Sequence, residues 1–585
     1  MISRLFRQML ITQVVSAMTV TLCMLIDSIM IGRFLGVDSM SAYGLASPLL
    51  LVFAAMGSMI AAGVQVVCGR AVGSGDRSAT DACFSASVSL AAGISAVGLI
   101  LVFIFMGPLT TLLGAGEAAE GNDVYFLTKD YLTGFIIGAP AFLCAQIMVP
   151  YMQFSGSRVR LVAAVAAMTA SDIALDLLNV FVFKGGTLGM GLASTASYYI
   201  AFFIGIGYFF KKNCLFRFRL RLVTAKVCRA LIASGIPTVI NQVSLVLLVF
   251  LLNHLLLTAG GNTAVAAYSV ISTVGNLCYC FGSGTAAVAM MLASIFHTEE
   301  DRTSMNELIR VMTRWAVILN LAVTVIVLAG APLLVGLFLG GGTSAGALAE
   351  NGLRLFVLSM IPCALNTTYK NYFQGIGRVR LTELISVLQN FLLPALFAFV
   401  LSRFAGTTGV WLCFVCGESA ALIVWAAIVW RHNRGISFSA DAFSMLPADF
   451  GAAEEDCFEG TLQSLDDAVN VSRSAVEFCQ AHGMPRRESM LFGLCIEEMT
   501  INIVRHGFTK QQDRPHNIDV RLVAEGERRV LRIRDNCVNF DPIHYLELHQ
   551  SEDPTAHVGI RMVMGMVKEA NYVNTLGLNN LTLTM

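Results

Sequence analysis

Two acidic side chains stand four residues apart inside a long apolar stretch of the chain. They are Asp172 and Asp176, with Asn179 three positions further on, and Asp27 lies in the first apolar stretch. A spacing of four places both carboxylates on one face of a helix. Because two neighbouring carboxylates cannot both ionise cheaply, at least one should hold a proton, or the pair should bind Na⁺ with the neutral oxygen of Asn179 as a further ligand. The pattern predicts a site whose charge changes when H⁺ or Na⁺ binds.

The depth of these carboxylates argues for a function. A charged side chain at the centre of a bilayer costs about 2.5–3.5 kcal/mol on insertion scales, so it is kept for a reason. A structural alternative stays open, in which Asp27 hydrogen-bonds a broken helix and Asp176 caps an irregular turn. We favour a cation-coupling site made of the three aspartates and Asn179.

The second half of the chain has no acidic residue at the equivalent depth. Its corresponding stretch, 381–401, carries Glu383 near one end and is otherwise interrupted only by Gln389, Asn390 and Pro394. We therefore expect the ion site in the first half.

Polar residues in the later stretches are candidates for the substrate cleft. Hydrogen bonding between helices is the alternative, since polar side chains commonly do this in membranes. The candidates are Asn241, Gln242, Asn253 and Glu418.

About twelve apolar stretches must position these residues. Hydrophobic residues make up 56% of the 585-residue chain and charged residues 13%, against about 25% charged residues in soluble domains. Each stretch is long enough to cross about 30 Å of hydrocarbon. The predicted fold class is an all-α polytopic membrane protein with a C-terminal α+β soluble domain. The stretches lie near residues 9–35, 41–66, 82–106, 126–153, 160–183, 188–210, 229–257, 264–296, 307–338, 350–374, 381–401 and 407–430.

Basic residues concentrate in alternate loops, and such an excess marks the cytoplasmic side of a membrane. We therefore expect a multi-pass protein of a bacterial cell membrane with both termini in the cytoplasm. The basic loops contain Arg70, Arg77, Arg158, Arg160, Lys211 to Lys226, Arg302, Arg378, Arg380, Arg431 and Arg434, whereas the other loops contain little beyond Arg33, Lys184 and Arg403.

An internal repeat divides the membrane part into two halves. Ala42-Tyr43 recurs as Ala267-Tyr268, and two further pairs share the same offset. An offset of six stretches keeps the same orientation, so the halves are predicted to be parallel repeats. The boundaries we predict are 1–217 and 218–435 for two six-helix lobes, 436–456 for a linker and 457–585 for a soluble domain.

The membrane part resembles the multidrug and toxic compound extrusion (MATE) family. The resemblance implies two six-helix lobes that form a V and rock between inward-open and outward-open states. It also implies that Asp27 and the pair Asp172 and Asp176 form the coupling site, although the family usually has asparagine where Asp172 stands. The residues that carry it are Asp27-Ser28-Ile29-Met30-Ile31-Gly32, Leu35-Gly36, Ala42-Tyr43, the glycines from Gly57 to Gly75, and Gln374-Gly375-Ile376-Gly377-Arg378.

The C-terminal part contains a second motif set, in which Glu498 and Asn502 share a helical face. It resembles the histidine-kinase-like ATPase fold, most of all the branch of anti-sigma-factor serine kinases. The resemblance implies bound Mg-ATP, with Glu498 as catalytic base, Asn502 as Mg²⁺ ligand, Asp535 on the adenine amino group, Gly559 near phosphate and Thr582 near adenine. The motifs are Glu497-Glu498 to Asn502, Arg505-His506-Gly507, Arg534-Asp535-Asn536, Val558-Gly559-Ile560 and Asn580-Leu581-Thr582.

Two departures from that family affect nucleotide binding. Cys537 and His557 stand where the family has glycines. Glycine lets backbone amides approach phosphate, so a β-carbon at either position should weaken binding. The alternative is a degenerate domain kept as a docking module.

Cation-coupled antiport, driven by H⁺ or Na⁺, is the function we expect. The cargo would be drugs or other small amphipathic or cationic compounds, and the C-terminal domain would regulate export. One alternative is a membrane sensor with serine-kinase output. Another is a flippase for a lipid precursor, which is disfavoured because few lysines or arginines lie within the apolar stretches. The expected partners are the lipid bilayer, small molecules and a cytoplasmic regulatory protein, without nucleic acid. ATP-driven pumping is not expected because no Gly-x-x-x-x-Gly-Lys-Ser/Thr loop is present.

Overall fold

Fourteen helices form the membrane part in the computed structural model, which describes residues 2–115, 123–207, 209, 214–339, 344–432, 439–508, 516–526, 528–548 and 558–585. Within these residues the helices are α1 Ile2–Met30, α2 Val37–Gly73, α3 Arg77–Ile104, α4 Met106–Thr110, α5 Asp123–Ile136, α6 Ala139–Phe154, α7 Arg158–Leu178, α8 Gly186–Ile206, α9 Ala225–Thr298, α10 Arg302–Leu339, α11 Ser344–Val357, α12 Met360–Gly375, α13 Val379–Val387 and α14 Leu393–His432.

The number of membrane crossings follows from where these helices break. Among the described residues, eight helical stretches are long and apolar enough to cross a membrane, and the bent pairs α5–α6 and α11–α12 bring the number to ten. Helix α9 has 74 residues, which is about 110 Å of helix and far more than a bilayer of about 30 Å. Its backbone leaves the helical conformation at Gly261, and α14 does so at Ala405 and Gly406. Counting both sides of each break gives twelve crossings, as predicted.

Glycine makes both of these turns possible. Gly261 has φ 64° and Gly406 has φ 54°, values that residues with a β-carbon rarely adopt. Each glycine lies between two apolar stretches, so the chain can reverse within a few residues. The breaks at Gly261 and Gly406 therefore separate crossings seven from eight and eleven from twelve.

The two halves pack against each other through small residues on one side of the membrane part. Gly63 and Gly69 of α2 lie against Leu231 and Ser294 of α9, so closely that a β-carbon would clash. The Ser294 hydroxyl donates a hydrogen bond of 2.8 Å to the Gln65 carbonyl. All of these contacts lie towards the helix ends that carry the C-terminal domain, which we call the domain side.

A five-stranded antiparallel sheet with helices on one face forms the C-terminal domain. The strand order is β1-β2-β3-β5-β4. Phe492 and Ile496 of one helix pack on Leu531 and Ile533 of the sheet in the core of the domain. The elements are α15 Ala440–Ser444, β1 Cys457–Leu462, α16 Leu465–Ala481, α17 Arg486–Asn502, β2 Ile518–Glu525, β3 Arg528–Asp535, α18 Pro542–Leu548, α19 Val558–Met566, β4 Glu569–Thr575 and β5 Leu578–Thr584.

The segment between the two parts packs on the second half. Short helix α15 and the residues after it contact the domain-side ends of α10 and α12. The Tyr372 hydroxyl donates to the Ser444 carbonyl at 3.1 Å, and the Arg378 guanidinium donates to the Met445 carbonyl at 3.0 Å. From residue 439 onwards the predicted linker is therefore held against the membrane part.

Candidate functional site

Three aspartates meet between α1 and α7 in the first half. Asp172 and Asp176 are 4% and 1% exposed, and Asp27 of α1 is half-buried beside them. The three carboxyl groups interact electrostatically, and Asp27 lies within hydrogen-bonding reach of the other two when a proton is shared. The structure thus brings together the three aspartates that the sequence singled out.

Few donors reach these carboxylates. The Ser197 hydroxyl of α8 donates to Asp172 Oδ1 at 3.0 Å. Within the described residues, neither oxygen of Asp176 has a hydrogen-bond partner, and Asp27 Oδ1 has none either. Since buried carboxylate oxygens without donors are costly, this cluster is suited to take up a proton or a small cation.

Asn179 lies just beyond this cluster, in a π-helical turn that continues α7. Its Nδ2 donates to the Gly186 carbonyl at 3.0 Å, and its Oδ1 accepts from the Gly185 amide at 3.0 Å. The side chain thus shapes the connection from α7 to α8. Its role as an ion ligand stays a prediction.

Tyrosine side chains line the same region, and the sequence reasoning did not single them out as site residues. Tyr43 of α2 and Tyr198 of α8 are close enough to interact electrostatically with the aspartates. The Tyr43 ring packs edge-on against Tyr131 with centroids 5.3 Å apart. The repeated Ala-Tyr pair contained the signal for Tyr43, but nothing in the sequence connected it with the acids.

The second half contains a buried polar network instead of an acidic cluster. Lys370 of α12 donates from Nζ to Gln389 Oε1 at 3.1 Å and to Asn241 Oδ1. Gln389 Nε2 in turn lies 3.4 Å from Glu418 Oε1, and Asn366 Nδ2 donates to Glu418 Oε2 at 2.7 Å. Lysine and glutamate are therefore joined through one amide. The sequence reasoning missed Lys370, which stands near the end of an apolar stretch, where a lysine can reach the membrane surface.

A cavity of about 370 Å³ lies between the two halves. Asn241, one of the predicted cleft residues, lines it together with Lys370. Gln242 and Asn253 are half-buried on the same helix but are not among the described residues that line this cavity. Glu418 lies behind Lys370, reached through Gln389. The structure thus places one of the four predicted cleft residues at the cavity surface.

The C-terminal domain brings several of its predicted site residues together. Gly559, at the start of α19, lies so close to the Glu498 carboxylate of α17 that a β-carbon would clash with it. Asn502 is the last residue of α17 and is half-buried. Asp535 ends β3 and is 4% exposed, and burial raises its pKa. Its Oδ1 accepts hydrogen bonds of 2.8 Å from the Cys537 amide and from Asn579 Nδ2.

The remaining predicted nucleotide residues are placed differently. Thr582 points away from α17 and lines a cavity of about 280 Å³ between the sheet and the membrane part, so the structure does not bring it to Glu498. Cys537 is buried against Gly507, with its sulfur 3.6 Å from His516 Nδ1. His557 lies outside the described residues.

Arginines on the open face of the sheet bind the loop between α9 and α10 in the second half. Arg532 contacts Glu299 at 3.0 Å and Asp301 at 2.5 Å, and Arg534 contacts Glu299 at 2.6 Å. Arg521 forms a further ion pair with Asp301, whose side chain is fully buried. Burial alone would raise the pKa of Asp301, but Arg532 and Arg521 hold it well below its usual range.

The first half binds the same domain mainly through neutral groups. The β4–β5 turn reaches the connection between α6 and α7, where the Leu576 amide and the Thr575 hydroxyl donate to the Phe154 carbonyl at 2.6 and 3.0 Å. Arg158 donates to the Leu576 carbonyl at 2.9 Å. An ion pair with an exposed arginine joins Arg77 and Asp541 at 2.9 Å. One domain therefore touches both halves of the membrane part.

Comparison with known proteins agrees with the division of the membrane part into two halves. The profile of the MatE family matches residues 13–173 and 237–400, which is more than half of the chain. The chain belongs to the MatE family. Its residues 462–585 match the histidine kinase-like ATPase domain. The resemblances to the MATE family and to the histidine-kinase-like ATPase fold are thus confirmed, and the chain is a MatE-family membrane transporter with an ATPase-like domain at its C-terminus.

Curated relatives and solved structures cover the MatE part. Multidrug export protein MepA of Staphylococcus saprophyticus is 25% identical over 403 residues, covering 67% of this chain and 87% of MepA. The Staphylococcus aureus protein of the same name is 24% identical over 398 residues, covering 67% of this chain and 85% of its own length. A MATE transporter in an outward-facing conformation superposes with TM-score 0.68 at 20% identity, over 76% of this chain and 97% of its own. A Vibrio cholerae MATE transporter superposes with TM-score 0.68 at 17% identity, over 75% and 98%.

Proposed function

We propose that this MatE transporter exports small molecules in exchange for H⁺ or Na⁺ bound at Asp27, Asp172 and Asp176. The observation that carries the proposal is the set of buried carboxylate oxygens of Asp27 and Asp176 that accept no hydrogen bond from any residue the structure describes. Ion binding there changes the charge at the contact between α1 and α7. A change of this kind can favour one arrangement of the lobes over another, which is what coupling requires.

The driving force is adequate for such coupling. One charge that crosses a potential of 100 mV gains about 2.3 kcal/mol, and one pH unit is worth about 1.4 kcal/mol. Either energy is enough for about a tenfold change in the ratio of two lobe arrangements, which needs about 1.4 kcal/mol. No ATP hydrolysis is needed in this scheme.

We propose further that the ATPase-like domain regulates the lobes from the cytoplasm. The domain contacts Glu299 and Asp301 of the second half and Phe154 of the first. Because inward opening requires the lobes to separate on the domain side, a domain that bridges them opposes that opening. Both chain termini would then face the cytoplasm, where ATP is available.

Nucleotide binding would affect the contacts between the domain and the membrane part through strand β3. Arg534 binds Glu299 from one face of the strand, while the next residue, Asp535, points to the other face, towards α17. Successive strand residues point to opposite faces, so a shift of β3 that adjusts Asp535 to a nucleotide also moves Arg534. Mg-ATP is therefore proposed as a regulator, with Asn502 as its metal ligand.

A second candidate function is a sensor with serine-kinase output. It is favoured by the approach of Glu498 and Gly559, the predicted base and phosphate residues. In that case cargo binding would alter phosphorylation of a cytoplasmic protein. A lipid-precursor flippase is less favoured because the described lining of the central cavity has a single basic residue, Lys370.

Transport in proteoliposomes under separately imposed pH and Na⁺ gradients, with and without Mg-ATP on the domain side, tests the proposal. We expect one of the two gradients to drive export, and Mg-ATP to change the rate without being required. The Asp535→Ala variant should keep gradient-driven export and lose the ATP response. Export that ignores both gradients would contradict coupling, and an ATP response that survives Asp535→Ala would contradict the proposed nucleotide site.

A further inference from the structure

The central cavity has the size of a small-molecule site and an unusual choice of polar groups. Its volume of about 370 Å³ falls within the roughly 300–1,000 Å³ of typical ligand pockets. Helices of both halves line it. Apart from one lysine, its polar lining is made of amides, hydroxyls and a phenol, among them Gln13, Gln65, Gln146 and Gln374.

Lys370 carries the one formal charge among the described residues that line this cavity. It is 3% exposed. An ammonium group has three N–H donors, and two of them are used by Gln389 and Asn241. No described protein group takes the third. A bound cation would face a like charge here with no carboxylate in the lining, whereas an acidic group would meet a buried donor of opposite charge.

Glu418 explains how the lysine can remain buried. It lies behind Lys370 and is joined to it through Gln389. A buried charge needs a partner of opposite sign nearby, and this arrangement supplies one without placing a carboxylate at the cavity surface. The positive side of the pair is therefore the side that a ligand meets.

Gln65 supplies an independent sign of a ligand. It lines the cavity and is 7% exposed, and its Oε1 has no hydrogen-bond partner within the described part of the chain. Buried acceptors are nearly always paired, and an unpaired one needs an explanation. A ligand N–H or O–H group would satisfy this oxygen.

We propose that the cavity binds a small organic acid that also carries hydrogen-bond donors, with Lys370 receiving the acidic group and Gln65 the donor. This inference rests on the proposed export function and gives its substrate class. A preference for acids would distinguish this chain from an exporter that selects cations only. Zwitterions fit as well as simple acids, provided that the acidic group reaches Lys370.

A matched dye pair tests the inference on the purified full-length protein. The probes are a rhodamine with a free carboxylate and two primary amino groups on its xanthene ring, and the methyl ester of the same dye, which is a cation. We expect the parent protein to bind the free acid at least about tenfold more tightly, which corresponds to about 1.4 kcal/mol. Fluorescence polarisation at equilibrium measures both affinities.

Three variants show which groups discriminate between the dyes. Lys370→Met combined with Glu418→Gln removes both charges, avoids a lone buried carboxylate and should abolish the preference for the acid. Gln65→Leu should weaken binding of both dyes, since both carry the ring donors. Lys184→Met, at an exposed lysine outside the cavity, is the matched control and should change neither affinity.

Two outcomes overturn the inference. One is a parent protein that binds the ester as tightly as the acid, and the other is a double variant that keeps the preference while it remains folded by thermal unfolding. Because binding is measured at equilibrium without a gradient, a failure of ion-driven export would contradict the proposed coupling and leave the binding result standing.

Discussion

The two halves of the membrane part share a sequence repeat, yet they hold buried charge in opposite ways. In the first half, Asp27 and Asp176 have oxygens without donors among the described residues. In the second, Glu418 accepts from Asn366 and Gln389, and Lys370 supplies a positive charge. The first half can balance its charge only by taking up an ion, whereas the second contains its own cation. We therefore expect the first half to respond to ion gradients and the second to recognise cargo.

The docked domain repeats this contrast. It holds the second half through buried ion pairs at Asp301 and the first half mainly through hydrogen bonds to the Phe154 carbonyl. Buried ion pairs are costly to break once one partner is lost, whereas neutral and exposed contacts are weak. The domain is therefore bound tightly to the second half and weakly to the first. Such an arrangement suits a regulator that must allow the lobes to move.

The largest effect that we predict is at the acidic cluster. Asp176→Asn removes an ionisable group from the first half and should reduce ion-driven exchange by up to about 150-fold, the upper end of typical coupling free energies. Initial rates of cargo uptake in proteoliposomes under an imposed gradient measure this.

Glu418→Gln is the matched change in the other half. It also removes a buried carboxyl group, but its amide can still hydrogen-bond to Asn366. We expect this variant to bind cargo more weakly, because Lys370 loses its counter-charge, while exchange at saturating cargo still follows the imposed gradient. If Glu418→Gln abolishes exchange and Asp176→Asn does not, the proposed difference between the halves is wrong.

The acidic cluster was predictable from the sequence, whereas the part that Lys370 plays in the second network was not. An aspartate in the middle of an apolar stretch is conspicuous, and a spacing of four puts Asp172 and Asp176 on one face. Lys370 stands near a helix end next to Asn371, where lysines usually extend to the membrane surface. Only the packing of α12 against Asn241 and Gln389 shows that its side chain turns inward.

The docking of the C-terminal domain on the membrane part could not be predicted from the sequence either. Its fold could be recognised from motifs, because the motifs around Glu498, Asp535 and Gly559 occur in the same order as in the family. Arg532 and Arg534 alternate with apolar residues, which is also the pattern of a strand with one face in water. A pattern of this kind does not reveal that the open face is covered by another part of the same chain.

The next largest effect concerns the anchored side of the domain. Asp301→Asn leaves Arg521 without its buried partner and Arg532 with Glu299 alone, and should weaken docking by about 3–5 kcal/mol. Hydrogen exchange of the β3 and β5 amides in the full-length protein measures the release, because these strands carry the covered face. Faster exchange there, with an unchanged membrane part, is the expected result.

Asp541→Asn gives the comparison on the other lobe. Its partner Arg77 is 67% exposed, and exposed ion pairs contribute about 0–1 kcal/mol. We expect little change in exchange of β3. Equal release by the two variants would mean that the domain is not anchored preferentially to the second half.

The smallest predicted effect is that of pH on docking. The pKa of Asp301 is held well below its usual range, chiefly by Arg532 and Arg521 acting against burial. A carboxylate whose pKa is lowered in the folded state stabilises that state above its unfolded pKa of about 3.9, and the contribution is lost only as the pH falls through the folded value. Docking should therefore stay constant from about pH 8 to about pH 5, since Asp301 remains ionised throughout that window.

The rate of cargo export should depend on pH in a different way from docking if protons are the coupling ion. Export would then change across the same pH range, while the protection of the β3 amides, corrected for the intrinsic pH dependence of amide exchange, stays constant. If the domain is released as the pH falls towards 5, a value still above the unfolded pKa of Asp301 of about 3.9, then docking and coupling titrate together. The acidic cluster and the docked domain would in that case form one pH-sensitive device, since the ion pairs at Asp301 alone cannot titrate in that range.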